Sequence, residues 1–92
     1  QFRIKFNEVC MTRDKNVCRL CELKPAVDVH HITSRKLMPN GGYVLENGIS
    51  LCSECHLDVE LEPTHPAYDT EVLYGLIGSN YELALQASIN NF

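Results

Sequence analysis

Tryptophan is absent from the 92 residues of this sequence, and neither Lys nor Arg occurs after residue 36. A membrane-spanning helix needs about 20 mostly apolar residues, and no stretch of the chain approaches that length. The sequence also opens without the apolar leader that directs proteins to secretion. We therefore expect no contact with a membrane and an intracellular, cytoplasmic location.

Cysteine, by contrast, is frequent, with five in the chain. Four of them form two C-x-x-C pairs, Cys18 with Cys21 and Cys52 with Cys55, a spacing that lets two short loops place four thiolates around one Zn²⁺. A disulfide framework is the alternative in so short a chain, but the odd number of cysteines and the paired spacing argue against it. The sequence predicts a structural zinc site, whose binding free energy would support the small core of a single domain.

The formal net charge of −4 argues by itself against a nucleic-acid partner, but the distribution of charge argues for one. Residues 1–36 carry eight basic and four acidic side chains, a net charge of +4, whereas residues 37–92 carry eight acidic and no basic ones, a net charge of −8. Such asymmetry indicates a surface that faces a polyanion such as DNA. DNA would then contact the N-terminal half and the loop that contains Arg35 and Lys36. A solvated basic helix explains the same residues equally well.

The N-terminal residues have the periodicity of an amphipathic helix over about Arg3–Arg13, with Phe2, Phe6, Val9 and Cys10 on one face. Cys10 is expected to be a small buried residue of that face. The helix should end in a turn directly after Arg13.

Two strands and a helix are predicted next. Residues Ala26–Ile32 are mostly apolar and rich in β-branched side chains, and Gly48–Leu51 is the returning strand. The long loop between them contains a turn at Pro39–Gly42. Ser53 is expected to cap a helix that ends at about Leu61.

The C-terminal tail is predicted to be helical. A short helix should run from Asp69 or Thr70 to Leu76, and Ser79-x-x-Glu82 is a capping box for a helix to about Ala87. The apolar residues of the tail are expected either to cover the core or to meet a partner. The order helix, strand, loop, strand, helix and helical tail predicts the α+β class.

Zinc binding leaves one series of residues unexplained, namely His30, His31, Asn47 and His56. The run CRLC…VDVHHI…ENGISLCSECH resembles the HNH nucleases, the zinc-binding branch of the ββα-metal endonucleases. The resemblance covers about residues 6–60, and it includes apolar spacers in register at Val29, Ile32, Ile49 and Leu51. It implies a ββα-metal (HNH) finger, with the whole chain, residues 1–92, as one nuclease domain: a motif core of about 6–60 and a helical tail over 67–92.

The resemblance also implies roles for the series. His31 would be the general base that deprotonates water, and His30 and His56 would bind the catalytic cation. Neighbouring strand residues point to opposite faces, so His30 and His31 converge on one site only if the strand ends there. Asn47 would orient the loop that carries the base; a simple Asn-Gly turn at positions 47 and 48 is the alternative.

Two further assignments are less closely tied to the motif. Many HNH relatives have another histidine one turn after the last one, where this chain has Glu60. Glu60 lies four residues after His56, on the same helix face, and a carboxylate ligand would favour Mg²⁺ or Mn²⁺; a solvated side chain is the alternative. Arg35 and Lys36 would contact DNA phosphates, or would be ordinary surface charge.

The function implied is a metal-dependent DNA endonuclease that nicks or cleaves DNA with a histidine base and one divalent cation. The principal alternative is a zinc-binding nucleic-acid-binding module that has the HNH-like fold without catalysis. A purely structural or protein-interaction zinc domain is a third hypothesis, which does not account for the His–His–Asn–His series.

Overall fold

The computed structural model describes the backbone of residues 2–90 and the side chains of residues 5–90. Six regular elements follow one another along the chain: α1 (Phe2–Arg13), β1 (Asp28–His31), β2 (Gly48–Leu51), α2 (Ser53–Leu61), α3 (Thr70–Leu76) and α4 (Tyr81–Asn90). Short 3-10 turns occupy Pro39–Gly42, Leu45–Asn47 and Pro66–Tyr68. This small α+β architecture agrees with the predicted class. Across residues 2–90, every helix is too short or too polar to cross a membrane.

The sheet is a single antiparallel hairpin of β1 and β2, in which Asp28 lies opposite Leu51 and His31 lies opposite Gly48. The bounds of β2 match the prediction, but β1 is shorter than the predicted Ala26–Ile32. Hydrogen bonds from Val27 N to the Leu51 carbonyl and from Ile32 N to the Asn47 carbonyl, both 2.9 Å, continue the pairing just beyond the strand. The predicted strand therefore has the right location, but its first and last residues pair with β2 too irregularly to belong to the sheet.

The core lies on both sides of β2, all four residues of which are buried. Ile49 and Leu51 join a cluster that includes Leu73 of α3 and Ala84 of α4. The C-terminal helices thus cover the core, which is one of the two roles expected for the tail. Leu83 of α4 nevertheless remains half exposed.

Helix α1 packs against the hairpin through Phe6 and Cys10, which are buried as predicted, whereas Val9 is exposed. The predicted contact of Phe2 lies outside the described side chains. Burial raises the pKa of the Cys10 thiol to about 11, with Arg13 opposing and nearby carboxylates adding to the increase. Cys10 is consequently a protonated, apolar core residue at neutral pH.

The carboxylate of Asp14, directly after α1, is buried and joins that helix to β2. The Arg13 guanidinium donates to both carboxylate oxygens at 2.7 Å, and the backbone N–H of Ser50 donates at 3.1 Å. Arg13 also donates to the carbonyl of Gly48 at 2.6 Å. Burial by itself would raise the pKa of Asp14, but Arg13 and Ser50 outweigh it and hold that pKa below its usual value.

Two of the predicted helix caps are wrong, and in both cases the neighbouring residue is the cap. Cys52, not Ser53, precedes α2, and its sulfur accepts the backbone N–H of Cys55 at 3.4 Å. Asn80 precedes α4 and its Oδ1 accepts the N–H of Leu83 at 2.9 Å. Ser79 instead donates its hydroxyl to the carbonyl of Glu46 at 2.9 Å. A tertiary contact therefore removes Ser79 from the capping position.

Gly48 marks the closest approach of α1 to the hairpin and gives a direct test of that packing. A Cβ atom there would lie 2.6 Å from both the Phe6 ring and the Cys10 sulfur. We expect Gly48→Ala to lower the free energy of unfolding by about 1–3 kcal/mol through overpacking. Gly75→Ala is the matched control, since a Cβ at this position in α3 meets nothing within 4 Å; it should raise stability by about 0.5–1 kcal/mol. Urea unfolding measures the free energy of unfolding of both variants. Equal changes in that free energy would contradict the close approach of α1 to Gly48.

Asp14→Asn should lower the free energy of unfolding by about 2 kcal/mol, because Arg13 would lose its counterion in a largely buried setting. The pKa of Asp14 is lower in the folded protein than in the unfolded chain. Its contribution is therefore complete above the unfolded pKa of about 3.9, and it is lost as pH falls through the folded value. Urea unfolding between pH 7 and pH 3 should show the difference between wild type and variant shrinking below about pH 4. A constant difference would refute the assignment, since acid effects common to both proteins cancel.

Candidate active site

The four paired cysteines converge as the sequence predicts. Their sulfur atoms all lie within 4.8 Å of one another, and Cys21 Sγ is 4.0 Å from Cys52 Sγ. A tetrahedral zinc site with Zn–S bonds of about 2.3 Å has its sulfurs about 3.8 Å apart, so this donor set fits such an ion. Within residues 2–90 this is the one group of three or more His, Cys, Asp or Glu donors that converges so closely. The cluster consists of Cys18, Cys21, Cys52 and Cys55.

The pKa values of these thiols also suit a cation. Burial alone would raise the pKa of Cys18, but hydrogen bonds from the backbones of Cys21, Cys52 and Leu20 outweigh it and lower that pKa to about 6. Burial and the neighbouring thiols raise the pKa of Cys55, and the negative charge of Cys18 adds to the increase. The Cys18 thiolate forms readily and opposes the ionisation of Cys55. A divalent ion removes that opposition.

Backbone contacts hold the first cysteine loop next to the hairpin. Cys18 N donates to the Lys24 carbonyl at 2.9 Å, and Glu22 N donates to the Cys18 carbonyl at 3.0 Å. Arg19 N donates to the Ser50 carbonyl of β2 at 2.9 Å. The loop therefore docks on the same strand that leads to the second cysteine pair.

On the outer side of the hairpin, an open cleft of about 510 Å³ contains most of the predicted catalytic residues. The rings of His30 and His56 have centroids 5.3 Å apart. His56 Nε2 is 3.9 Å from Glu60 Oε2, and His56 Nδ1 is 3.4 Å from Asp28 Oδ2. His56 thus lies between the two carboxylates, with one of its ring nitrogens near each, and next to the ring of His30. We refer to His30, His56, Glu60 and Asp28 as the His–carboxylate cluster.

Helix α2 serves both clusters. Cys55 belongs to the cysteine cluster, whereas its neighbour His56 lines the cleft, because consecutive helical side chains diverge by about 100°. Burial and the proximity of His56 lower the pKa of His30, with Glu60 acting in the opposite direction. His30 is therefore neutral at cellular pH, which is the form of imidazole that binds metals.

His31 lines the same cleft as His30, and β1 ends at His31, which meets the condition for the two residues to share one site. The imidazole of His31 stacks on Phe6 with centroids 4.5 Å apart, and Tyr43 contacts it edge-on at 4.7 Å. Two aromatic rings from α1 and from the loop therefore fix its orientation.

Asn47 is completely buried behind the cleft, and all of its amide groups are used. Its Oδ1 accepts from Thr33 N at 2.9 Å, and its Nδ2 donates to the carbonyls of Thr33 and Gly42 at 3.0 and 3.2 Å. The hydroxyl of Tyr74 donates to Oδ1 at 2.8 Å. The amide thus ties the segment after His31 to the end of the long loop. The simple-turn alternative does not account for these bonds.

The basic residues are less available than the sequence suggests. Arg35 Nη1 donates to the Tyr43 hydroxyl at 2.8 Å at the edge of the cleft, and Arg35 is exposed. Lys36 is exposed beside it but does not line the cleft. Arg19 donates to the carbonyl of Leu76, and Lys24 forms an ion pair with Glu54. With Arg13 at Asp14, several of the N-terminal cations are thus bound within the protein.

Sequence reasoning missed Asp28, which completes the His–carboxylate cluster. A signal was present, because Asp28 lies two residues before His30 and residues i and i+2 of a strand share a face. It also missed Phe6 and Tyr43 as the supports of His31. For Tyr43 no local pattern exists, since eleven residues of the long loop lie between it and His31.

Comparison with known proteins agrees with this geometry. Residues 17–60 match the family model described as HNH endonuclease. No curated protein and no solved structure matches the chain. The matched segment contains both cysteine pairs, the hairpin and nearly all of α2, and it ends before α3 and α4. Residues 17–60 of the chain are thus similar to an HNH endonuclease domain.

Proposed function

We propose that this protein is a metal-dependent DNA endonuclease that hydrolyses phosphodiester bonds, with the hairpin and α2 forming a ββα-metal site. The observation that carries the proposal is the cleft, in which His31 lies beside the His–carboxylate cluster. A base for water and ligands for a cation are the two requirements of phosphodiester hydrolysis. The packing of the C-terminal helices on the core supports one domain over residues 1–92, with a motif core of about 6–60 and a helical tail over 67–92.

His31 is the general base in this proposal. Neutral imidazole removes a proton from water, the water oxygen forms a bond to phosphorus, and one bridging P–O bond breaks as the leaving oxygen takes up a proton. The Phe6 and Tyr43 rings restrict rotation of His31, so its ring nitrogens keep a defined direction. Asn47 holds the segment that follows His31 through the bonds to Thr33.

A divalent cation, Mg²⁺ or Mn²⁺, would be held by His30 and His56, with Glu60 as a carboxylate ligand. When bound, the ion would stabilise negative charge on the phosphate and on the leaving oxygen. The neutral form of His30 and the 3.9 Å between His56 Nε2 and Glu60 Oε2 suit such a set. Asp28 contacts the other ring nitrogen of His56, and it would orient that imidazole, as carboxylates next to metal-binding histidines do.

DNA would enter from the side of Arg35 and Lys36. Arg35 lines the cleft and both residues are exposed, and residues 37–92 supply only negative charge. Phosphate contacts from these two side chains would place the backbone of the substrate over His31 without selecting a sequence.

The zinc-binding module without catalysis remains the second candidate, and one observation favours it. In residues 2–90 only the cysteine cluster brings three or more donor atoms within 4.8 Å of one another. The His–carboxylate cluster must therefore adjust its side chains to bind a cation. The two experiments below separate zinc binding from catalysis.

One zinc ion per chain is expected at the cysteine cluster, where it would link residues 18–21 to residues 52–55. Elemental analysis of the purified protein should give a zinc-to-protein ratio of about one. Cys52→Ser should unfold the chain, because the metal contributes directly to the stability of so small a domain. Cys10→Ser is the control, since Cys10 is buried outside the cluster; it should retain the zinc. A zinc-free protein that remains folded would refute the site.

His31→Gln should abolish plasmid nicking in the presence of Mg²⁺ or Mn²⁺, because glutamine occupies similar space but cannot act as a base. DNA affinity should change less than about twofold, since the base acts in the transition state. His65→Gln is the matched control: His65 lies on an exposed turn, where its Nδ1 accepts the N–H of Ala67. Full nicking activity of the His31→Gln variant would exclude His31 as the general base. Absence of nicking by the wild type with DNA binding retained would favour the module without catalysis.

A further inference from the structure

The third helix of the fold reaches into the candidate site although it lies outside the segment that the family model matches. Tyr74 of α3 is 2% exposed, and its hydroxyl donates to Asn47 Oδ1 at 2.8 Å. The same hydroxyl lies 2.6 Å from Thr33 Oγ1. Thr33 follows His31 by two residues, so Tyr74 contacts both the orienting amide and the segment that carries the base.

The direction of both hydrogen bonds of the Tyr74 hydroxyl, to Thr33 and to Asn47, is determined. A tyrosine hydroxyl has one hydrogen to donate, and the hydrogen of Tyr74 is used for Asn47 Oδ1. The bond between Thr33 and Tyr74 must therefore be donated by the Thr33 hydroxyl. The result is a directed series from Thr33 Oγ1 to Tyr74 Oη to Asn47 Oδ1, in a region where Asn47 is 0% and Thr33 is 9% exposed.

The backbone N–H of Thr33, which can only donate, fixes which end of the Asn47 amide is the oxygen. Oδ1 receives two donors, Thr33 N and the Tyr74 hydroxyl, while Nδ2 faces the carbonyls of Thr33 and Gly42. A flipped amide would place its NH₂ group against the Thr33 N–H, one donor against another. Without the Tyr74 hydroxyl, one buried lone pair of Oδ1 and the hydroxyl of Thr33 would lack their partners, a cost that loosens the segment.

We propose that Tyr74 is a positioning residue of the active site, which acts through Asn47 and Thr33 to hold the segment after His31 in place. This inference rests on the proposed nuclease function for its effect on catalysis. Its structural part, the fixing of the Asn47 amide, is independent of activity. Helix α3 is accordingly part of the proposed site and not only a cover for the core.

The test uses Tyr74→Phe in the full chain, which removes the hydroxyl and keeps the ring. The first measurement is hydrogen exchange of backbone amides by NMR. Exchange of the Thr33 N–H, which donates to Asn47 Oδ1, should become about tenfold faster, because that oxygen loses the hydrogen bond from Tyr74 that helps to hold it. Exchange of the Ile49 N–H in β2 should change much less. Tyr81→Phe, which removes an exposed hydroxyl at the start of α4, is the control and should leave both amides unchanged.

The second measurement is DNA cleavage at saturating DNA and Mn²⁺. The maximal rate of Tyr74→Phe should fall about tenfold, with DNA affinity within twofold of the wild type, since the base is displaced while phosphate contacts remain. In an Asn47→Ala background, Tyr74→Phe should have almost no further effect on the rate, as two residues that act through one contact are not additive.

Unchanged exchange at Thr33 would overturn the inference whatever the activity. Faster exchange with an unchanged rate would overturn the catalytic part, and so would additive effects of the two substitutions. If the wild type does not cleave DNA, the proposed function fails, and the exchange measurement still decides whether Tyr74 fixes Asn47. Should Asn47→Ala not fold, Thr33→Val takes its place, because it breaks the same series at its first member.

Discussion

A hairpin with four residues in each strand is not stable by itself in water, and the whole site depends on how this one is held from outside. Three contacts hold it at different places. The cysteine cluster joins the loop before β1 to the start of α2. Asp14 fixes the end of α1 to β2 through Ser50. Asn47 binds the segment just after β1. Each is a polar or metal-binding contact between distant parts of the chain, and apolar burial fills the space between them.

The hairpin also separates the chemistry into two regions. Helix α2 directs Cys55 inward to the cysteine cluster and His56 outward to the cleft. The cysteine cluster and the proposed reactive site can therefore be close without sharing ligands. In the proposed function, such a division would let the cysteine cluster remain rigid while the His–carboxylate side chains adjust to a cation and a phosphate.

The sequence predicted those features whose partners are near in the chain or whose spacing is characteristic. The bounds of β2 and the cysteine cluster belong to this group, and so does the burial of Cys10. The predicted caps Ser53 and Ser79 are wrong, because in each case an adjacent residue can also cap the helix. At the start of α4, the hydrogen bond of Ser79 to the distant Glu46 leaves Asn80 as the cap. The roles of Asp14 and Tyr74 were beyond prediction, since each depends on partners 27 to 41 residues away.

The sulfur of Cys52 has two tasks, because it belongs to the cysteine cluster and also accepts the N–H of Cys55 at the start of α2. Starting a helix is the unfavourable step of its formation, and here the first turn depends on an atom that a metal would hold. His56 lies in that first turn. Removal of the metal or oxidation of Cys52 would therefore fray α2 from its beginning, and the histidine of the cleft would be displaced before the core itself unfolds. The protein would lose its cleft geometry in response to thiol chemistry that never touches the cleft.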